Sequence, residues 1–172
     1  ADNYLVRLIE KGLRVAIAEQ VGEMPAKGIF PRKVVRVVTP GTLIEPSLLP
    51  GDANNYLAAV VIDGERAGVG YVDISTGEFA VTELHSADIQ AAIRAELTRL
   101  RPAEIIHPDN QVLLNGISGH ITPWSAWRFE PGKANETVLS HFKVAALDGF
   151  GLKSQPLPVR AAGGILLYLR ET

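Results

Sequence analysis

The feature that most restricts the fold is a run of three predicted strands with almost no chain between them. Residues 56–62, 67–74 and 78–84 are rich in β-branched and aromatic side chains. Asp63-Gly64 and Ser75-Thr76-Gly77, both favourable tight-turn sequences, separate these strands. Connections this short join antiparallel neighbours. The sequence therefore predicts a three-stranded antiparallel meander.

The segments that follow the meander predict helices that cover its sheet. A helix is expected over residues 87–100, and a buried strand at 104–106. Residues 120–122 are a candidate for a further strand, and helices are expected at 134–146 and 159–170. The order βββαβ followed by helices indicates an α/β domain with one mixed sheet and flanking helices. That is the outline of a ribonuclease-H-like fold.

Two glycines lie inside the last predicted helix, where each costs about 1 kcal/mol relative to alanine. Gly163 and Gly164 are adjacent there. We expect this helix to pack closely on a sheet or on another helix, because only a close approach would offset that cost.

The first part of the chain predicts fewer elements than a domain needs. A helix over residues 2–11, ended by Gly12, is followed by strands at 14–18 and 33–38. A strand pair with one helix is too little to be stable alone. Residues 42–54 are rich in proline and predict a linker. Because amphipathic patterning runs almost to both ends of the chain, we expect the chain to be part of a longer protein.

Charge limits the ways in which this chain could bind nucleic acid. The net charge is −2 and the isoelectric point is about 6.1, so a basic footprint over the whole chain is excluded. Residues 25–44 nevertheless contain no acidic residue and include four basic ones, Lys27, Arg32, Lys33 and Arg36. This local patch is compatible either with contacts to DNA phosphates or with a strand edge kept soluble by its charge.

One carboxylate in the meander raises the alternative of a metal-dependent nuclease. Asp73 lies inside a predicted strand, and a nuclease on this fold needs several carboxylates around paired divalent ions. An aspartate at a bend or strand edge is the competing interpretation. The carboxylates that could join Asp73 lie at a turn, near a strand end or at the start of a later strand: Asp63, Glu65, Glu83 and Glu104.

Other kinds of site find little support in the sequence. The absence of cysteine excludes thiolate catalysis and Cys-based zinc sites, and the histidines are scattered, so we predict no metal site and no catalytic residue. No apolar run approaches the roughly 20 residues of a membrane span. Trp124, Trp127 and Phe129 could stack on bases, but we expect them to anchor a loop on the core.

Several segments, taken in order, resemble the bacterial MutS mismatch-repair family. The most specific are Ala18-Glu19-Gln20-Val21 and Val38-Thr39-Pro40-Gly41-Thr42. The resemblance covers nearly the whole chain. Its segments are residues 1–5, 14–21, 27–28, 32–42, 55–59, 73–79, 101–106 and 161–168.

The resemblance implies where in such a protein this chain would lie. Residues 1–39 would be the last part of the mismatch-binding domain, 40–54 a linker, and 55–172 the connector domain, which in the family is ribonuclease-H-like without nuclease activity. The family's mismatch-probing Phe-x-Glu motif and its ATPase would lie elsewhere in the parent protein. The resemblance therefore implies a non-enzymatic chain with no cofactor of its own, while the parent uses ATP and magnesium. It also implies a cytoplasmic parent that forms a homodimer on mismatched duplex DNA.

The resemblance also implies two sets of contact residues. Lys27, Arg32, Lys33 and Arg36 would lie near the DNA backbone. The connector domain of the family offers a surface to the partner MutL, and the matching helix here is residues 134–142. Its candidate contacts are Ala134, Glu136, Thr137 and His141, and some relatives carry a pair of glutamines where Glu136 and Thr137 stand.

Overall fold

The computed structural model describes residues 2–22, 30–43, 54–113 and 116–172. Within them, an N-terminal unit precedes a larger sheet unit. The N-terminal unit comprises α1 (Asp2–Glu10), β1 (Val15–Gln20), β2 (Arg32–Val38) and a 3₁₀ turn at Pro40–Thr42. The sheet unit comprises β3 (Tyr56–Asp63), β4 (Arg66–Asp73), β5 (Glu78–His85), α2 (Ile89–Leu100), β6 (Glu104–Pro108), β7 (His120–Trp124), α3 (Pro131–Phe142) and α4 (Pro156–Glu171), with 3₁₀ turns at Ala126–Phe129 and Asp148–Phe150.

The predicted meander is confirmed. β3, β4 and β5 pair antiparallel through tight turns in which Gly64 and Gly77 have φ of 57° and 77°, a backbone conformation that favours glycine. β6 then pairs in parallel with β3, and β7 with β6. Among the described residues the strand order is β5-β4-β3-β6-β7, so the sheet is mixed, as the sequence predicted.

Helices cover both faces of this sheet, and β3 shows the arrangement. Leu57, Ala59 and Val61 pack on the face that holds α4, whereas Ala58 and Val60 pack with α2 on the other face. A strand buried on both faces needs a nearly continuous apolar run, which is the sequence of β3. α3 then packs on the outer side of α4 through a separate apolar cluster that includes Val138 and Ala162.

The two C-terminal helices begin earlier than the sequence predicted. α3 covers Pro131–Phe142 instead of residues 134–146, and α4 begins at Pro156 instead of residue 159. Proline fits the first turn of a helix, where its missing N–H has no intrahelical partner, so these prolines start helices. α3 ends at Phe142 and is capped by Lys143, whose φ is 55° and which donates its N–H to the carbonyl of Leu139.

The N-terminal unit packs around a small apolar cluster. α1 ends at Glu10, one residue before the predicted end, and Gly12 follows with a φ of 76°, the conformation of the predicted glycine cap. Ile9 of α1, Val38 of β2 and Leu43 after the 3₁₀ turn form the cluster. The predicted linker therefore starts with buried chain, because Pro40, Gly41 and Thr42 are buried in the 3₁₀ turn. Residues 44–53 of that linker lie outside the described residues.

Candidate functional site

A β-bulge decides the direction of the basic side chains on β2. The pairing of β2 with β1 shifts register between Ile17 and Ala18, which leaves Val35 as the extra residue on β2. Residues opposite one another share a face of the sheet. Lys33 and Arg36 therefore lie on one face, although regular alternation would separate them. The pairs that establish this are Lys33 with Glu19, Arg36 with Ile17 and Arg32 with Gln20.

The bulge divides the predicted DNA-contact set between two faces. Arg32 lies on the face opposite Lys33 and Arg36, and Lys27 lies outside the described residues. Lys33 is exposed, with the oppositely charged Glu19 directly across the strand pair. Arg36 is half-buried and already has an interaction within the chain. The structure thus brings Lys33 and Arg36 together without Arg32, and their contact with DNA stays a prediction.

The predicted partner residues on α3 are also divided. Ala134 is fully buried and Thr137 is 3% exposed, with its hydroxyl donated to the carbonyl of Lys133. These two side chains face α4, so they cannot form an outer surface in this fold, which corrects the prediction for them. Glu136 and His141 are exposed and remain candidates, and their contact with a partner stays a prediction.

Asp73 stabilises a turn and the start of a strand. It is 1% exposed, and its Oδ1 accepts hydrogen bonds from the backbone N–H and the hydroxyl of Ser75, at 2.9 and 2.6 Å. Its Oδ2 accepts the N–H of Asn55 at 3.2 Å. Burial by itself would raise the pKa of Asp73, but the donors from Ser75, Asn55 and Thr76 together hold that pKa below its usual value. The geometry is that of an aspartate at a bend.

The described residues give the nuclease alternative no support. Among them no group of three or more His, Cys, Asp or Glu side chains is placed to hold a metal ion. Asp73 is engaged by the turn, and Glu104, a carboxylate that could have joined it, is engaged elsewhere. His107 is buried on β6, where burial lowers its pKa and its Nδ1 lies 2.9 Å from the carbonyl oxygen of Pro108.

Glu104 is the centre of a buried polar network between the two units. It is fully buried in β6. Its Oε2 accepts the hydroxyl of Thr39 at 2.5 Å and the N–H of Gly41 at 3.0 Å. Its Oε1 accepts the hydroxyls of Thr122 and Tyr168 at 2.8 and 2.7 Å. A buried carboxylate is tolerated only when its oxygens are satisfied, and these donors satisfy both of them.

Tyr168 extends this network towards the N-terminal unit. Burial and the neighbouring Glu104 raise the pKa of the Tyr168 phenol, which therefore stays a donor at neutral pH. The guanidinium of Arg14 lies 5.4 Å from the centre of the Tyr168 ring. Nearby, the N–H of Val37 in β2 donates to the carbonyl of Thr172 at 3.1 Å. From the sequence alone, Glu104 was only a possible metal ligand. A charged residue in an otherwise apolar buried strand was the signal that it has buried partners.

The aromatic residues after β7 mostly anchor the core. Trp124 and Phe129 are buried and meet edge to face, with ring centres 6.0 Å apart. Trp127 is 52% exposed. The guanidinium of Arg128 lies between the two tryptophan rings, 4.3 Å from Trp124 and 4.5 Å from Trp127, and is held by Glu171 at 3.0 and 2.7 Å. The prediction of an anchor is confirmed for Trp124 and Phe129.

None of the helices within the described ranges has the length and apolar character needed to cross a bilayer.

Comparison with known families accounts for almost the whole chain. The family model described as MutS domain II matches residues 55–172, which is more than half of the chain. The chain belongs to the MutS family. A second model, described as MutS domain I, matches residues 1–47 of this MutS-family chain. The resemblance deduced from sequence segments is therefore confirmed.

Curated relatives of this MutS-family chain carry the name DNA mismatch repair protein MutS. The relative from Dehalococcoides mccartyi (strain CBDB1) is 43% identical over 176 residues, and that from Solibacter usitatus is 40% identical over 178 residues. The relative from Roseiflexus castenholzii is 36% identical over 236 residues. These matches cover 99–100% of this chain but only 20–22% of each relative. The chain thus spans about a fifth of the length of these relatives.

Proposed function

We propose that this chain is the binding and connecting part of a MutS-like DNA mismatch recognition protein. It would link the mismatch-binding domain to the core and ATPase domains and offer a surface to MutL. The observation that carries this proposal is the match of MutS domains I and II, in order, over nearly the whole chain. The names of the relatives support the same function.

The proposed roles of the parts of the chain follow the domain boundaries predicted from the sequence. Residues 1–39 would end the mismatch-binding domain, 40–54 would connect, and 55–172 would form a ribonuclease-H-like connector domain. An antiparallel meander continued by two parallel strands, with helices on both faces, supports that assignment of the fold. Catalysis would reside outside this chain, where the parent protein binds ATP and magnesium. The parent would act in the cytoplasm as a homodimer on mismatched duplex DNA.

The proposed MutL surface is the outer side of α3. Glu136 projects from it with a side chain that is 75% exposed, and His141, further along the same helix, is also exposed. Ala134 and Thr137 would act indirectly, because their burial holds α3 against α4.

The proposed contacts with DNA phosphates are Lys33 and Arg36, together with Arg32 on the other face of the strand pair and Lys27 earlier in the chain.

A cross-linking and pull-down assay with MutL from the same source tests this proposal. We expect the 172-residue chain to capture MutL, and a double variant Glu136→Lys, His141→Glu to capture at least several-fold less, because it reverses or adds charge on the proposed surface. Glu65→Lys is the matched control, since Glu65 is exposed at the β3–β4 turn and the charge change is the same as at Glu136. Failure of the chain to bind MutL, under conditions where a full-length relative binds, would remove the partner claim.

A further inference from the structure

The two carboxylate oxygens of Glu104 face different parts of the molecule. Oε2 binds the chain as it leaves β2, through the hydroxyl of Thr39 and the N–H of Gly41. Oε1 binds the sheet unit, through Thr122 on β7 and Tyr168 on α4. One rigid planar group therefore joins the N-terminal unit to three elements of the sheet unit, namely β6 itself, β7 and α4.

The hydroxyl of Thr39 is held in the orientation that this bond needs. The N–H of Thr39 donates to Oγ1 of Thr42 at 2.9 Å, and the two threonine hydroxyl oxygens lie 3.0 Å apart. A hydroxyl has one hydrogen, so when Thr39 donates to Glu104 it is Thr42 that donates to Thr39. Thr39 is fully buried and Thr42 is 6% exposed, so water does not compete well for these donors.

The 3₁₀ turn packs against Glu104 with almost no free space between them. A Cβ atom added at Gly41 would lie 2.9 Å from Cβ of Glu104 and 3.0 Å from Cβ of Leu57. The backbone at Gly41 therefore sits directly against β3 and β6. The units also approach closely at a second place, because a Cβ atom added at Gly12 would lie 1.6 Å from Cε1 of His120 on β7. The contacts at Glu104 are short, directional and buried, and they act at the point where the chain passes from one unit to the other.

We infer that Glu104 is a positioning residue that fixes the orientation of the N-terminal unit relative to the sheet unit. It does so by holding Thr39 and Gly41 with one oxygen while Thr122 and Tyr168 hold the other. This role concerns the geometry of the chain itself and does not depend on the proposed function. A residue that only filled buried space would contribute to stability, but its individual hydrogen bonds would not control orientation.

The two sides of Glu104 offer a matched pair of variants. Thr39→Val removes a hydroxyl that binds Oε2, and Thr122→Val removes a hydroxyl that binds Oε1. Each replaces threonine with a side chain of the same shape and deletes one bond to Glu104. Only Thr39 belongs to the N-terminal unit, so only Thr39→Val should loosen the orientation of that unit. Thr39→Ser restores the hydroxyl and should restore the orientation.

Pulsed electron resonance distances measured on the whole chain test the inference. The sequence has no cysteine, so spin labels can be placed at Gln20→Cys on β1 and Ser140→Cys on α3, both exposed positions. We expect a narrow distance distribution in the 172-residue chain without further substitution, in Thr122→Val and in Thr39→Ser. In Thr39→Val the distribution should be at least about twice as broad. A second pair at Arg94→Cys and Ser140→Cys, both in the sheet unit, should stay narrow in every variant.

Two outcomes would overturn the inference. The first is a distance distribution in Thr39→Val that is as narrow as in the chain with threonine at position 39. The second is equal broadening in Thr122→Val, which would show a general loss of packing. If circular dichroism shows that Thr39→Val does not fold, Thr42→Val decides, because it removes only the hydroxyl that orients Thr39. Intermediate broadening in Thr42→Val would support the positioning role, and an unchanged width would refute it.

Discussion

Two acidic residues buried in strands of the same sheet have different roles, and their donors explain why. Asp73 stands at the end of β4, so its nearest donors are local ones in the following turn. Glu104 opens β6, and its donors come from residues 63 to 65 positions away along the chain, together with Thr122 on the neighbouring strand. The role of Asp73 could be anticipated from the Asp-x-Ser spacing before a glycine turn. The role of Glu104 could not.

Asp73→Asn should destabilise the chain most at neutral pH. The amide has one acceptor oxygen in place of two and directs an NH₂ group at a backbone N–H, so we expect a loss of about 1–3 kcal/mol. The pKa of Asp73 is lowered in the folded state, so its stabilisation is complete above the unfolded pKa of about 3.9 and is lost as the pH falls through the folded value. The difference in stability between the unsubstituted chain and the variant should therefore shrink as the pH falls below about 3.9.

Denaturant unfolding at neutral and acidic pH measures this difference. Asp63→Asn provides the control, because Asp63 is exposed at the other hairpin turn, and it should change the free energy of unfolding by no more than about 0.5 kcal/mol at neutral pH. A loss for Asp73→Asn that is equally large at acidic and neutral pH would contradict the assigned hydrogen bonds.

At the scale of elements, the contact between α3 and α4 shows how glycine sets a packing distance. A Cβ atom added at Gly163 would lie 2.5 Å from both Cα and Cβ of Ala134 on α3. One added at Gly164 would lie 2.3 Å from Cε1 of Phe129. The prediction of close packing from these two glycines is confirmed. This contact also explains why Ala134 faces inward.

Gly163→Ala should destabilise the chain despite the higher helix propensity of alanine. Propensity favours alanine by about 1 kcal/mol, whereas forcing a methyl group into a packed contact costs about 1–3 kcal/mol. The backbone of α3 is the obstacle and cannot rotate away, so we expect a net loss of about 1–2 kcal/mol. Denaturant midpoints provide the measurement.

Gly132→Ala is a control for which we do not expect a loss of stability. It lies in the first turn of α3, and a Cβ atom there would meet nothing within 4 Å. Gly132→Ala should therefore be neutral or stabilise the chain by up to about 1 kcal/mol. A stabilising Gly163→Ala would show that α3 and α4 can separate at little cost, and would contradict the packing described here.

At the scale of the whole molecule, charge predicts weak and salt-dependent binding to DNA. The net charge is −2, so attraction to phosphates depends on the local group on β2. We expect the chain to bind duplex DNA weakly, with little preference for a mismatch. The double variant Lys33→Gln, Arg36→Gln should weaken binding further and reduce the slope of log affinity against log salt by up to about 2.

Fluorescence anisotropy at several salt concentrations would measure these slopes. Arg94→Gln is a suitable control, because Arg94 is exposed on α2 within the sheet unit, and this substitution should leave the slope unchanged. Tight binding that selects mismatched over matched duplex would contradict the expectation. A slope unaffected by the double variant would remove Lys33 and Arg36 as phosphate contacts.

Most of the helices and strands, and the family, could be predicted from the amino-acid sequence. The meander, α2, the mixed sheet and the cap at Gly12 all follow from patterns a few residues long: alternation of apolar side chains, turn glycines and a helix-ending proline. The segments around Thr39-Pro40-Gly41 were enough to indicate the MutS family. These features are local because hydrogen bonding in turns and caps, and the two-residue period of a strand, involve neighbours along the chain.

Which polar residues are buried, and where the basic side chains point, follows from how the elements pack together. The bulge at Val35 places Lys33 and Arg36 on the same face of the strand pair, and the packing of α3 on α4 buries Ala134 and Thr137. The interpretation of Glu104 differs most: the sequence suggested a possible metal ligand, whereas the structure places it at the centre of the polar network between the two units. Its donors lie on β2, β7 and α4 and meet only after those elements have packed. No pattern within one segment records such a meeting, because the energy of a buried carboxylate depends on groups that distant parts of the chain bring to it.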